Sequence, residues 1–215
     1  MQLTRRAVLA TSTVGLFGPT SGWLEFALGS GPLEFEGQRV APTTDALAET
    51  GYEEDDVRTE TIDESVEFVV ERDVRASVWV SEYTKTGIAG DSEYDSSAFV
   101  AVSVPRMEAF GRTADPVSEM SEEALIGEFA DRANGDVEDV EYVESFDHEI
   151  LGEDRTVSRL TGIARRPGEV VDVDITLASF PHGDDSIVLL GIHPESLETQ
   201  AAALETLMSA VEHPW

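Results

Sequence analysis

From Val57 to Tyr83 β-branched and aromatic residues are frequent, and two sets stand at every second position: Val66, Phe68 and Val70 share one face, and further on Val74, Ala76, Val78 and Val80 share one. That period belongs to a strand with one face turned inward, and it predicts two long strands joined near residues 71–73. The same alternation, with Pro42 and Pro105 as stops, predicts strands over residues 33–40 and 98–104. Three more follow at about 138–146, 155–164 and 169–180, and a last one at 186–192. Arg165, Arg166, Pro167 and Gly168 place proline and glycine where a hairpin turn between two of them needs them.

Two stretches shift to a helical period. After Ser121, Glu122 and Glu123, which suit a helix N-terminus, Leu125, Ile126, Phe129, Ala130 and Ala133 form one stripe, with Asn134 and Gly135 as the stop. Leu197, Ala201, Leu204, Met208 and Val211 recur at four, three, four and three and predict a terminal helix. A short helix capped by Thr43 or Thr44 and ended by Gly51 precedes the long strands. The acidic run 51–56 and the small, polar segment 86–97 are expected as loops. The sum is an α+β fold: an antiparallel β-sheet of about six to seven strands with two packed α-helices and a short N-terminal helix.

Charge changes the picture of the solvent. The 215 residues hold 44 Asp plus Glu against 14 Lys plus Arg, a formal net charge of -30, and Lys85 and Asn134 are the sole lysine and asparagine. Hydrophobic content is 41%, enough for a core, so the acidity points to a folded surface screened by concentrated salt rather than to disorder. Nucleic acid is excluded as a partner, because a phosphate backbone needs a cationic face. With no cysteine, disulfides, thiolate nucleophiles, cysteine-ligated metals and a lipidated cysteine are excluded as well.

The N-terminus reads as an export signal. Thr4, Arg5, Arg6, Ala7, Val8 and Leu9 match the core of a twin-arginine signal, followed by an apolar stretch to Phe17 that Gly18 and Pro19 break. Residues 1–29 are therefore expected to be a signal or N-terminal anchor, and residues 30–215 a single acidic α+β domain. The charge-free stretch 7–24 is the segment through which an uncleaved chain would attach to the membrane. The expected location is extracellular or on the outer face of the cell membrane, and the expected partners are the twin-arginine translocation machinery and an extracellular or envelope component.

Candidate chemistry is sparse, and no motif calls for a cofactor. His148, Glu149, Ile150, Leu151 and Gly152 begin like a zinc-protease helix but lack its second histidine, so a strand end and turn is expected there. The one His-carboxylate grouping is His182, Asp184 and Asp185, with Asp172 and Asp174 upstream on one strand face. Those five could assist a metal-dependent hydrolase, but glycine and aspartate are also what a hairpin turn requires. His193 before Pro194 and His213 before Pro214 are expected to be structural.

The twin-arginine start, the Ala46, Leu47, Thr50, Gly51, Tyr52 segment, the strand 98–105, Asp115 with Pro116, and Ile192, His193, Pro194 before a helix resemble an uncharacterised family of haloarchaeal secreted proteins and lipoproteins. The element order is also similar to PsbP-type domains, non-enzymatic modules that bind partners. The first resemblance implies export and the second a non-enzymatic binding role; with no catalytic motif in the chain, an exported, non-catalytic binding module is expected, with metal-assisted hydrolysis as the alternative.

Overall fold

The computed structural model describes residues 32–67, 71–89, 92–109, 111–130, 136–166 and 169–215. Arg5, Arg6 and the stretch 7–24 lie outside them, as do Ala133, Asn134 and Gly135 of the expected helix stop and the Pro167–Gly168 turn.

In chain order the elements are β1 (Leu33–Glu36), β2 (Ala41–Pro42), α1 (Thr44–Thr50), β3 (Glu53–Glu67), β4 (Glu71–Ala89), β5 (Ser92–Pro105), β6 (Met107–Ala109) and β7 (Arg112–Ala114). A 3-10 turn at Val117–Glu119 leads to α2 (Glu122–Ala130), β8 (Asp136–Ile150), β9 (Glu153–Arg166), β10 (Glu169–His182), β11 (Asp185–Pro194), α3 (Thr199–Ser209) and β12 (Val211–Glu212).

This corrects the expected α+β fold with an antiparallel sheet of six to seven strands. The chain is mostly β, and its sheet is mixed and eight-stranded, in the order β1-β4-β5-β11-β10-β9-β8 with β3 also paired to β4; three α-helices lie among the described residues. The extra strand arises because β4 is longer than its partner. β5 covers β4 from Ala89 back to Trp79, and β1 then takes the next stretch of the same edge in parallel, from Leu33 opposite Val74 to Glu36 opposite Ser77. Gly37 closes the junction: its N–H donates to Ser77 O at 2.9 Å, and a Cβ there would stand 3.1 Å from both Ser77 O and Ser103 O. A side chain would push the two segments apart.

Of the two acidic or polar stretches expected as loops, residues 53–56, 86–89 and 92–97 are strand. β3 begins at Glu53, and β4 and β5 run on through residues 86–89 and 92–97. Residues 53–56 are exposed acidic positions on an edge strand, which removes the apolar signal, while Glu53, Glu54 and Asp56 stay in register with Thr84, Tyr83 and Glu82 of β4 across an irregularity at Asp55.

Both faces of the sheet are covered. On one face Val78, Val100, Val102, Leu160, Ile175, Val188 and Leu190 pack against Leu125, Ile126 and Phe129 of α2. On the other, Tyr83, Phe99, Val157, Phe180, Ile187 and Leu189 pack against α1 and against Leu204, Leu207 and Met208 of α3. β11 sits at the centre, with all ten residues buried. Gly191 admits α3 closely, since a Cβ at that position would lie 2.8 Å from Leu204 Cδ1.

The helices begin where the sequence predicts. Thr43 Oγ1 accepts from Ala46 N at 3.3 Å and Gly51 takes a left-handed φ of 75° while donating to Leu47 O; such a cap contributes about 1 kcal/mol. Ser121 Oγ accepts from Ala124 N at 3.2 Å, and Glu122 accepts from Ser158 Oγ, tying α2 to β9. α3 stops at Ser209, so Val211 pairs with Pro42 in β12 instead of continuing the stripe.

Candidate functional site

The β10–β11 hairpin places the predicted His-carboxylate residues at two ends. Gly183, at a φ of 60°, turns the chain, and His182 stands opposite Asp185 in the ladder. Asp174 pairs with His193 eight residues up the strand, roughly 26 Å away at the rise of an extended chain. Asp172 is exposed, and its carbonyl accepts from Glu195 N at 3.0 Å. Asp184 is exposed too, with its carbonyl accepting from Arg106 N at 2.9 Å. Among the described residues no group of three or more His, Asp or Glu is placed to hold a metal.

Asp185 belongs to a buried chain of hydrogen bonds that includes a residue expected to be merely structural. Its carboxylate Oδ2 accepts from Gln38 N at 2.8 Å and from His213 Nε2 at 2.9 Å, with both side chains no more than 3% exposed. His213 Nδ1 in turn lies 2.9 Å from His182 Nδ1, the rings tilted at 70°. Because Asp185 only accepts, the His213 hydrogen sits on Nε2; a neutral His213 then receives the Nδ1 hydrogen of His182. The contact seats the C-terminal tail, which is also held by the β12–β2 pair and by Trp215 N donating to Arg39 O at 2.9 Å. No local pattern links Asp185 to a histidine 28 residues on.

Burial lowers the pKa of His182 from its ordinary 6.5, and the neighbouring His213 and Arg155 push it the same way against the weaker pull of Glu153 and Asp185. A depressed native pKa means the unfolded chain takes up the proton first, so stability declines as pH falls below about 6.5. Thermal midpoints measured from pH 7.5 to 5.5 should therefore fall more steeply for the wild type than for His182→Gln. Equal slopes would show that His182 does not carry this dependence.

His148 lies at the end of β8, where Leu151 and Gly152 take φ values of 52° and 75° in the turn to β9. Its Nε2 donates to Glu205 O at 3.0 Å and stands 2.6 Å from Ser209 Oγ, so it fastens β8 to α3.

The second feature is a cleft of about 310 Å³ where the first turn of α3 passes over β9, β10 and β11. β9 supplies Arg159 and Thr161, β10 supplies Asp174 and Thr176, β11 supplies His193, and Glu198 and Ala201 come from the start of α3. Alternation along the strands puts Arg159 and Thr161, and Asp174 and Thr176, on the same face. Arg159 is fully engaged: Nη1 donates to Glu144 at 2.7 Å, Nη2 to Glu205 at 2.6 Å, and the guanidinium lies over the Phe146 ring at 4.5 Å. These carboxylates raise its pKa further.

His193 is 2% exposed, and its Nδ1 lies 2.9 Å from the carbonyl oxygen of Pro194. A carbonyl can only accept, so Nδ1 carries a hydrogen, and the imidazole with one hydrogen presents Nε2 as an acceptor. Asp174 Oδ2 stands 4.0 Å from that Nε2. Asp174 was legible as a candidate because it alternates with Asp172; the partnership with His193 appears only once β10 and β11 are paired.

A second cleft, of about 350 Å³, surrounds Arg106 between Phe35 and Asp184, with Glu34, Glu36 and Glu108 on its walls. Among the described residues, no helix is long and apolar enough to cross a membrane. A comparison with curated proteins gave no match. Residues 39–212, from the arginine that holds the tail to the last residue of β12, match the domain of unknown function DUF6517, and the chain belongs to that family.

Proposed function

We propose that this protein is an exported, salt-adapted binding module of the cell surface or extracellular space, of the haloarchaeal type, with no catalytic activity of its own. The observation that carries the binding role is the cleft under α3. Its one guanidinium is neutralised by Glu144 and Glu205, and its histidine is locked in one tautomer at the bottom. Side chains fixed in this way hold a ligand's polar groups at low entropic cost. The resemblance in element order to PsbP-type domains, which bind partners without catalysis, supports the same reading. Metal-assisted hydrolysis by His182, Asp184, Asp185, Asp172 and Asp174 is the weaker reading, because Asp172 and Asp174 stand apart from His182, and the His182, His213 and Asp185 side chains bond to one another.

Export is supported by Arg5 and Arg6 ahead of a modest apolar stretch. Replacing both with Lys in a haloarchaeal host should move the protein from the medium or envelope fraction to the cytoplasm, detected by immunoblot of fractions. Unchanged distribution of the variant would rule out the twin-arginine route.

A further inference from the structure

We propose that the cleft between α3 and the sheet binds a small molecule through a primary ammonium group seated between His193 Nε2 and Asp174 Oδ2. The proposal rests on the binding-module reading and names the ligand chemistry of that site.

The two acceptors are too far apart, at 4.0 Å, to bond to one another. They are well spaced to share a donor. A nitrogen placed about 2.9 Å from each would see them at an angle of roughly 90°, which two N–H bonds of one ammonium can span. Since the Nδ1 hydrogen of His193 is committed to Pro194 O, the imidazole with one hydrogen offers its lone pair at Nε2. Asp174 supplies the negative charge, making its half of the contact charge-assisted.

Local charge selects the same class. Asp174 and Glu198 line the cleft, and Glu144 and Glu205 stand beside it, against the single guanidinium of Arg159. An anion would meet four carboxylates; a cation is drawn in. Thr161 and Thr176 flank the seat with hydroxyls, while Val143 and Ala201 supply apolar surface. A short-chain amine, bare or hydroxylated, satisfies all of these, and the volume of about 310 Å³ suits a molecule of that size.

The test is calorimetric titration of the folded protein in molar KCl with n-butylammonium, ethanolamine and butyltrimethylammonium. The two primary amines are expected to bind saturably, and butyltrimethylammonium, which has the charge but no N–H, at least tenfold more weakly. Asp174→Asn, at a partly exposed position, is expected to lose at least tenfold in affinity while Asp172→Asn, on the exposed part of the same strand, binds as wild type. A 15N ring spectrum should show the His193 Nε2 resonance moving on addition of amine. Equal binding of the trimethylated probe, unaltered affinity in Asp174→Asn, or saturation by potassium alone would overturn the ammonium seat. Binding of a neutral polyol at the same residues in place of amines would overturn the ligand class but keep the binding module, whereas chemical turnover of any probe would overturn the module reading itself.

Discussion

Moved from molar salt into dilute buffer, the protein is expected to lose its cooperative thermal transition. A formal charge of -30 is spread over a surface with few cations to answer it, and those cations are already shared. Arg58 contacts Asp56, Glu60 and Glu82; Arg75 contacts Glu34 and Asp63; Arg159 contacts Glu144 and Glu205. Apart from the one to buried Glu82, these are surface pairs that contribute about 0.2–1 kcal/mol each, too little to offset the repulsion among the remaining carboxylates. The screening length is about 3 Å at 1 M and about 10 Å at 0.1 M, so dilution lets each carboxylate feel several neighbours along β3 and β8. Circular dichroism melts should show the midpoint falling by tens of degrees, on the order expected for several kcal/mol, before the transition vanishes. A sharp melt at the same midpoint in 0.05 M salt would contradict salt adaptation.

The second large effect is at the centre of the sheet. Gly191→Ala puts a Cβ 2.8 Å from Leu204 Cδ1 and 2.9 Å from Cδ2, in a strand whose ten residues are all buried. Either β11 bends or α3 lifts, at a cost of about 1–3 kcal/mol from overpacking. Leu204→Ala alone opens a cavity and costs about 2–5 kcal/mol. The double variant should be more stable than the two losses added together, because the small side chain at 204 makes room for the new methyl. Simple additivity in chemical denaturation would mean that the helix does not rest on Gly191 as described.

These two sites also show what the sequence could and could not disclose. α1 and the first turn of α2 were legible because their signals are local: Thr43, Gly51 and Ser121 act within a few residues of themselves. The hairpin of β9 and β10 was legible for the same reason, and its ladder runs from Glu169 opposite Arg166 to Ala178 opposite Val157. By contrast, the parallel pairing of β1 depends on where β5 runs out, some 70 residues later, and leaves no periodic trace. Glu53, Glu54, Asp55 and Asp56 read as loop because this acidic edge strand replaces the polar half of the alternation, and part of the apolar half, with carboxylates. β11 shows the opposite failure of alternation: covered on both faces, it has no polar side chain from Ile187 to Ile192. Of the candidate residues, Asp174 was visible as a carboxylate on a strand face, but its histidine lies across a ladder. His213 reaches Asp185 only because the tail folds back over Gln38 and Arg39.

That tail has a mechanical consequence. Trp215 N is bonded to Arg39 O, the Trp215 ring lies 5.8 Å from the Arg39 guanidinium carbon, and β12 lies against β2, so the last residues of the chain end beside the segment that leads into α1. A load applied between residue 39 and residue 215 would peel this clasp open one contact at a time, starting at Trp215 and reaching the His213–Asp185 bond before any strand of the large sheet was pulled in shear. The clasp would act as a fuse, yielding first and sparing the eight-stranded sheet behind it.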